Sequence, residues 1–417
     1  GAAPMQSDRP DFPMGNAEFV ALIAMLFATI AFSTDAMLPA LPQIVADLAP
    51  DTPERVPLIL TAFIFGLGLG TFFTGPLSDA YGRKNIVYWG AALYIAGTVL
   101  AWASQSLEVM LAARVVQGLG AAGPRIVSLA IIRDLYSGRQ MAKIMSFAMM
   151  VFVLVPAFAP AMGAVIISFS SWRGIFVSFI VFSAISALWM RVRLPETLAV
   201  EDRRPLQIGL LWKSVIEIFS NPLVRLSIAV QTLAMSILFA TLMLVQPIFD
   251  QVYDRADSFP FWFGVIAFIS GGSSLINALL VVRLGMQRIV TLTLGAQIIL
   301  SGAMLFGGLG DLPEPIGFGF YILWQVSLFF QAGLVLGNLS ALAMEPMGHI
   351  AGMAASVIGA VSTVLAALIA SPIGLMFEGK VDLLVTSVLA LAAVGFVLML
   401  RMGHVAKRHP AVHETSA

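Results

Sequence analysis

The sequence predicts an all-α polytopic membrane protein, with twelve transmembrane helices in two pseudo-symmetric six-helix bundles. Three observations carry that prediction. The chain of 417 residues is 59% hydrophobic and only 11% charged, with a mean hydropathy of +0.93, far from the composition of soluble domains. Its apolar residues fall into long runs of about 20, the length needed to cross a hydrocarbon core of about 30 Å. Its basic residues are distributed very unevenly between alternate loops.

The apolar runs lie near residues 18–38, 57–78, 86–104, 108–132, 141–168 and 174–193, and again near 221–247, 260–282, 289–310, 316–342, 350–376 and 381–402. Between the sets, residues 194–220 form the most polar stretch. They carry two prolines and several charges ahead of an amphipathic piece, the pattern of a linker lying on the membrane surface. The expected organisation is an N-terminal tail (1–17), a bundle (18–193), a linker (194–220), a second bundle (221–402) and a C-terminal tail (403–417). The first sixteen residues lack the basic start and small-residue cleavage pattern of a secretory signal, so the first span is read as retained. With both termini inside, seventeen of the 23 basic residues fall on the inner side and only Arg55, Arg173, Arg255 and Lys380 on the outer. The positive-inside rule therefore places both ends in the cytoplasm.

Few charges enter the spans. Arg114 and Arg125 lie in the fourth, eleven residues apart, which returns them to one helix face about 16 Å apart along the axis unless Gly123-Pro124 bends it. Asp35, in the outer third of the first span, is the acid placed clearly within a span. Ionisable groups at such depth usually face a polar cavity or a partner. A buried carboxylate whose proton affinity depends on burial, on Arg114 and on the cavity's occupant links binding to protonation, the thermodynamic basis of antiport. The alternative is structural: Asp35 caps a broken helix end before Pro39 and Pro42, or pairs with Arg114.

Four segments point to a family. The loop after the second span reads Gly75-Pro76-Leu77-Ser78-Asp79-Ala80-Tyr81-Gly82-Arg83-Lys84, in which glycines permit close approach and Asp79 can pair with basic neighbours. With Asp35-Ala36-Met37-Leu38-Pro39 in the first span, Arg114-Val115-Val116-Gln117-Gly118 in the fourth and Pro156-Ala157-Phe158-Ala159-Pro160-Ala161-Met162-Gly163 in the fifth, it resembles the signature set of the major facilitator superfamily. Arg133-Asp134-Leu135-Tyr136, Ser171-Trp172-Arg173 and Leu194-Pro195-Glu196-Thr197 are similar to the drug:proton antiporters of the bicyclomycin and chloramphenicol resistance type. The resemblance spans about residues 18–402. It implies a bacterial inner-membrane exporter of small amphipathic molecules, coupled to protons and working by alternating access between the two bundles. It also implies that Asp35 responds to protons, that Arg114 is linked to the relay, that Gly75, Asp79, Gly82, Arg83 and Lys84 form a cytoplasmic gate motif, and that Pro156, Pro160 and Gly163 form the antiporter motif. Some relatives carry a second acid deeper in the first span, where this chain has Phe27, Ala28 and Thr29, and Arg125 lies off the shared pattern.

An internal repeat is suggested by Arg283-Leu284-Gly285-Met286-Gln287-Arg288, which follows the eighth span as Gly82-Arg83-Lys84 follows the second, and by Pro372 and Gly374, which echo Pro160 and Gly163. Duplicated halves suit a rocker with a central site. Expected cavity residues are Gln117, Arg125, Met149, Met150, Phe158, Gln231, Met235, Phe239, Asn277, Trp324, Gln325 and Gln331, helped by the 21 adaptable methionines. Two interior arginines and one acid favour neutral, zwitterionic or anionic substrates. A proton symporter importing a small organic solute is the alternative; it would share the fold but gives no reason for the fifth-span pattern. The four histidines sit at or beyond span ends, which argues against a membrane enzyme, and no repeated polar ring points to a channel. No cofactor, metal or nucleic-acid partner is expected. The expected partners are a small-molecule substrate, protons and the bilayer, with the chain acting as a monomer.

Overall fold

The computed structural model describes residues 14–136 and 138–408; between 138 and 153 only the side chain of Ile144 is described, and that of Ala351 lies outside the description as well. Helices α1 to α7 are Asn16–Asp35, Leu41–Leu48, Leu58–Tyr81, Arg83–Trp102, Leu107–Leu135, Gly138–Phe169 and Trp172–Arg193. Helices α8 to α14 are Ile208–Ser220, Pro222–Gln251, Phe259–Leu284, Met286–Phe306, Ile316–Met344, Ala351–Leu375 and Asp382–Arg408. Among the described residues, eleven segments are long and apolar enough to cross a membrane. The remaining long helix is α6, whose 32 residues hold Pro156 and Pro160 without interruption.

Local chemistry sets the boundaries. Ser106 opens α5 by accepting from the Val109 amide, and Asn221 opens α9 by accepting from the Leu223 and Val224 amides, with Pro222 in the first turn where its missing N–H costs nothing. Gly82 (φ 96°, ψ 154°) and Gly285 (φ 78°, ψ 158°) precede α4 and α11 in nearly the same conformation, one that only glycine adopts without strain. The two basic turns read as a repeat thus share a backbone geometry.

One expectation is corrected here. The segment Gly75–Tyr81 is not a loop: α3 runs through Tyr81 with Pro76 inside it, and only Gly82 separates α3 from α4. Ser78 and Tyr81 belong to the last turn of a continuous helix, and the apolar run simply ends before the helix does.

By contacts the chain divides into one unit of residues 1–51 and 62–207 and a second of 52–61 and 208–417. The expected linker is therefore shared, with its first part in the first unit and α8 in the second. In the first unit, Phe19, Leu22, Ile23, Leu26, Val127, Ile131 and Met190 build an apolar core at the end where α3 passes to α4, which we call the basic end. In the second unit, Val230, Ala234, Val290, Leu294, Val335, Leu339 and Met399 do the same. Each core joins helices distant in sequence, so burial of these faces selects how each helix is rotated about its axis.

Candidate functional site

Asp35 is the last residue of α1, and the chain then breaks into a short 3-10 turn (Leu38–Ala40) before Pro42 starts α2. The carboxyl group lies at a helix break, and Asp35 is 5% exposed. Thr34 Oγ1 donates to its Oδ1 at 3.4 Å. One turn back, Ser33 donates to the Thr29 carbonyl at 2.6 Å, and its Oγ lies 2.6 Å from the Tyr94 hydroxyl on α4. Since the single Ser33 proton goes to Thr29, Tyr94 must donate to Ser33.

Arg114 is 0% exposed. Its guanidinium donates to Gln117 Oε1 at 2.8 Å and to the Ser33 carbonyl at 3.1 Å, and lies 4.6 Å from the centroid of the Phe63 ring on α3. The arginine thus grips the backbone two residues before Asp35, and its planar fork serves two acceptors at once. Helix α5 brings it there through close packing. A Cβ at Gly118 would run into the Phe63 carbonyl on α3, and one at Gly97 would lie 2.6 Å from the Gln117 amide nitrogen. Pro124 does not break α5, which is continuous to Leu135. It leaves the Gly120 carbonyl without its helical donor, and that carbonyl packs against Gly90 of α4. Arg125 is exposed where Arg114 is sealed.

The antiporter motif meets the same place from the other side. A Cβ at Gly163 of α6 would collide with the Ala36 carbonyl and lie 3.2 Å from Pro39 Cγ. Helix α6 therefore rests directly on the peptide after Asp35, which requires glycine there. Pro160 is buried and Pro156 half-buried beside it, while Phe158 is 61% exposed. Met149 and Met150 lie outside the described side chains.

At the basic end, Arg83 joins three acceptors. It forms a two-point pair with Asp134 (2.8 and 3.1 Å), a bond to Asp79 Oδ1 (2.6 Å) and one to Ser78 Oγ (2.9 Å). Thr197 adds a bond to Asp134 Oδ2 at 2.8 Å. Glu196 lays its carboxylate across the first amides of α4, accepting from Arg83 N at 2.9 Å and Lys84 N at 3.0 Å. An anion at a helix N-terminus satisfies donors that have no helical partner and meets the positive end of the dipole. The Arg203 guanidinium lies against Gly82, and the Arg204 amide donates to the Asp79 carbonyl at 2.9 Å. The segment Leu194–Arg204 is therefore part of this cluster. Sequence reasoning gave Asp134, Glu196 and Thr197 no role, although their charge and hydroxyl groups in two matched motifs were a usable signal. Gly75 is half-buried within α3.

Ser171-Trp172-Arg173 has a separate task at the opposite end. Trp172 donates through Nε1 to Asp47 and through its amide to Gln43 on α2, and Arg173 stacks on Trp172 while donating to the carbonyls of Trp102 and Ser104. The motif fixes the start of α7 to two neighbouring segments of the first unit.

The expected cavity residues of the second unit are mostly deep. Gln231, Phe239, Trp324, Gln325 and Gln331 are buried, and Met235 and Asn277 half-buried. Gln231 donates to Ser340, Asn338 donates to Asn277, and Trp324 donates to Ser301. Gly374 of α13 packs on the Met243 side chain of α9, a second instance of a late glycine seating one helix on another.

Comparison with known proteins agrees with this architecture. The model of the Major Facilitator Superfamily matches residues 21–374, and the chain belongs to that family: it is a multi-pass membrane transporter. It is 27% identical over 362 residues, 86% of this chain and 89% of the relative, to a bicyclomycin resistance protein homolog of Haemophilus influenzae. It is 25% identical over 420 residues, 92% of this chain and 97% of the relative, to multidrug resistance protein D of Escherichia coli. The crystal structure of a D-xylose-proton symporter superposes with a TM-score of 0.74 at 13% identity, covering 92% of this chain and 97% of that one. That likeness concerns the fold alone.

Proposed function

We propose that this transporter exports small amphipathic molecules, in the manner its resistance relatives' names suggest, in exchange for protons across a bacterial inner membrane. The basic end and both termini face the cytoplasm. The observation that carries the reading is the setting of Asp35: a carboxyl group on a broken helix end, 5% exposed, with Arg114 bonded to the preceding turn and α6 seated on the following peptide. Ionisation of a carboxyl group in such surroundings is costly without compensation, so its charge state is set by what approaches it. If substrate favours the deprotonated form, reciprocity makes the proton disfavour substrate, and each can drive the other outward or inward by alternating access. The basic cluster around Arg83 joins α3, α4, α5 and the linker and supplies a polar latch that opens and reforms during the cycle.

The test is growth of efflux-deficient cells on bicyclomycin with the wild type or Asp35→Asn, paired with transport into inverted vesicles under an imposed pH gradient. Protection and gradient-driven uptake are expected of the wild type and lost in the variant at equal expression. Equal protection by Asp35→Asn would remove Asp35 from coupling. Uptake that runs in the same direction as protons would instead establish the symport alternative.

A further inference from the structure

The two units divide their buried polar groups by charge. Among the described residues, the first unit buries Asp35, Arg83 and Arg114, whereas the buried polar groups of the second are uncharged: serines, threonines, glutamines, an asparagine and tyrosines. Several of those uncharged groups satisfy one another. Gln297 donates to Ser301, which also accepts from Trp324. Gln325 of α12 does not: it is 0% exposed, and among the described residues neither its Oε1 nor its Nε2 has a hydrogen-bond partner. The Tyr321 hydroxyl, four residues earlier on the same helix face and also at 0% exposure, is likewise unpaired. Buried amides and phenols are nearly always bonded, and an unbonded one is a standing cost. The Tyr321 ring centroid lies 5.8 Å from that of Phe249, 5.0 Å from that of Tyr253 and 6.4 Å from that of Trp324, so the Tyr321 ring sits in an aromatic cluster.

We propose that Tyr321 and Gln325 form a binding subsite within the second unit for an uncharged donor–acceptor group, an amide or hydroxyl, of the exported solute. A glutamine amide both donates and accepts, and a phenol can do either, which matches such a group on both counts. A fully charged group would find no compensating ion among the buried groups of this unit and would be rejected by desolvation. Because both side chains are sealed in the structure, the subsite opens only when α12 moves against its neighbours. The assignment of the ligand as cargo rests on the export reading above; the unsatisfied amide does not.

The experiment uses the full chain purified into lipid nanodiscs, with chloramphenicol as an uncharged amide bearing hydroxyls and tetraphenylphosphonium as a cation with no hydrogen-bonding group. Gln325→Leu is expected to weaken chloramphenicol binding about tenfold, or about 1.4 kcal/mol, and to leave tetraphenylphosphonium binding within about twofold. The same variant is expected to melt at the wild-type temperature or above, since it removes an unpaired buried amide. Tyr321→Phe should move chloramphenicol affinity in the same direction by a smaller factor. A lower melting temperature for Gln325→Leu would make the amide structural and overturn the subsite, as would equal loss of both ligands, no loss of either, or a wild type that does not bind chloramphenicol. Asp35→Asn, assayed for transport in the inverted vesicles described above, separates the readings. If it still exchanges solute for protons while Gln325→Leu behaves as expected, the coupling role falls and the subsite stands.

Discussion

Arg114 shows how much depends on a single side chain's shape. Its charge was readable from the sequence, but its contacts run to a backbone carbonyl on α1 and to Gln117 on its own helix, and these need a fork with several donors. Arg114→Lys keeps the charge and loses the fork. We predict that transport in proteoliposomes falls at least about tenfold, a barrier change of about 1.4 kcal/mol, while the variant still purifies as a monodisperse species. Near-normal transport would mean that charge alone suffices. Tyr94 was not foreseen, because a tyrosine within an apolar span looks like packing until its hydroxyl is seen donating to Ser33. Tyr94→Phe should lower thermal stability by about 1 kcal/mol, the usual net value of one buried hydrogen bond, as read from the melting curve.

At the scale of elements, glycines decide which helices meet and polar ends decide where they stop. Gly163 and Gly272 make a controlled pair: a Cβ at Gly163 would collide with the Ala36 carbonyl, whereas one at Gly272 has open space. Gly163→Ala is predicted to reduce both melting temperature and transport, and Gly272→Ala to change neither. Tolerance of alanine at both positions would refute the seating of α6 on the Asp35 peptide. Gly82 carries a further constraint, since its φ of 96° is costly for any other residue. Gly82→Ala should therefore cost about 1–3 kcal/mol and displace Arg203, detectable as faster proteolysis of residues 194–207. The turn's glycine and basic residues were legible because a helix break of this kind demands those types. Glu196 was not, because the amides it caps are more than a hundred residues away in sequence.

For the whole molecule, the boundary between units falls within the expected linker, after Gln207. Residues 194–204 cap α4 and bond Asp79 and Asp134 in the first unit, while α8 turns Leu211, Ser214 and Ile218 inward in the second. Two co-expressed fragments split between residues 207 and 208 should therefore leave each part of the linker with the helices it contacts and restore drug resistance. A split between 193 and 194 separates Glu196 and Thr197 from the helices they serve, and is predicted to restore less resistance at matched fragment levels. Equal activity from the two splits would show that the linker's first part contributes nothing to the basic cluster.

Sequence alone determined the class and the spacing of this protein. Crossing a bilayer requires runs of about 20 apolar residues, and polar stretches separate them, so the long helices could be read to within a few residues of their ends. Only the tertiary structure decided which way each helix faces. Hydropathy along a chain that is apolar on all sides carries little information about rotation, and the buried bonds that fix it join residues 51 to 113 positions apart, as in Arg83 with Asp134, Arg114 with Ser33 and Glu196 with α4. That the amide of Gln325 has no partner among the described residues could be recognised only from their three-dimensional arrangement.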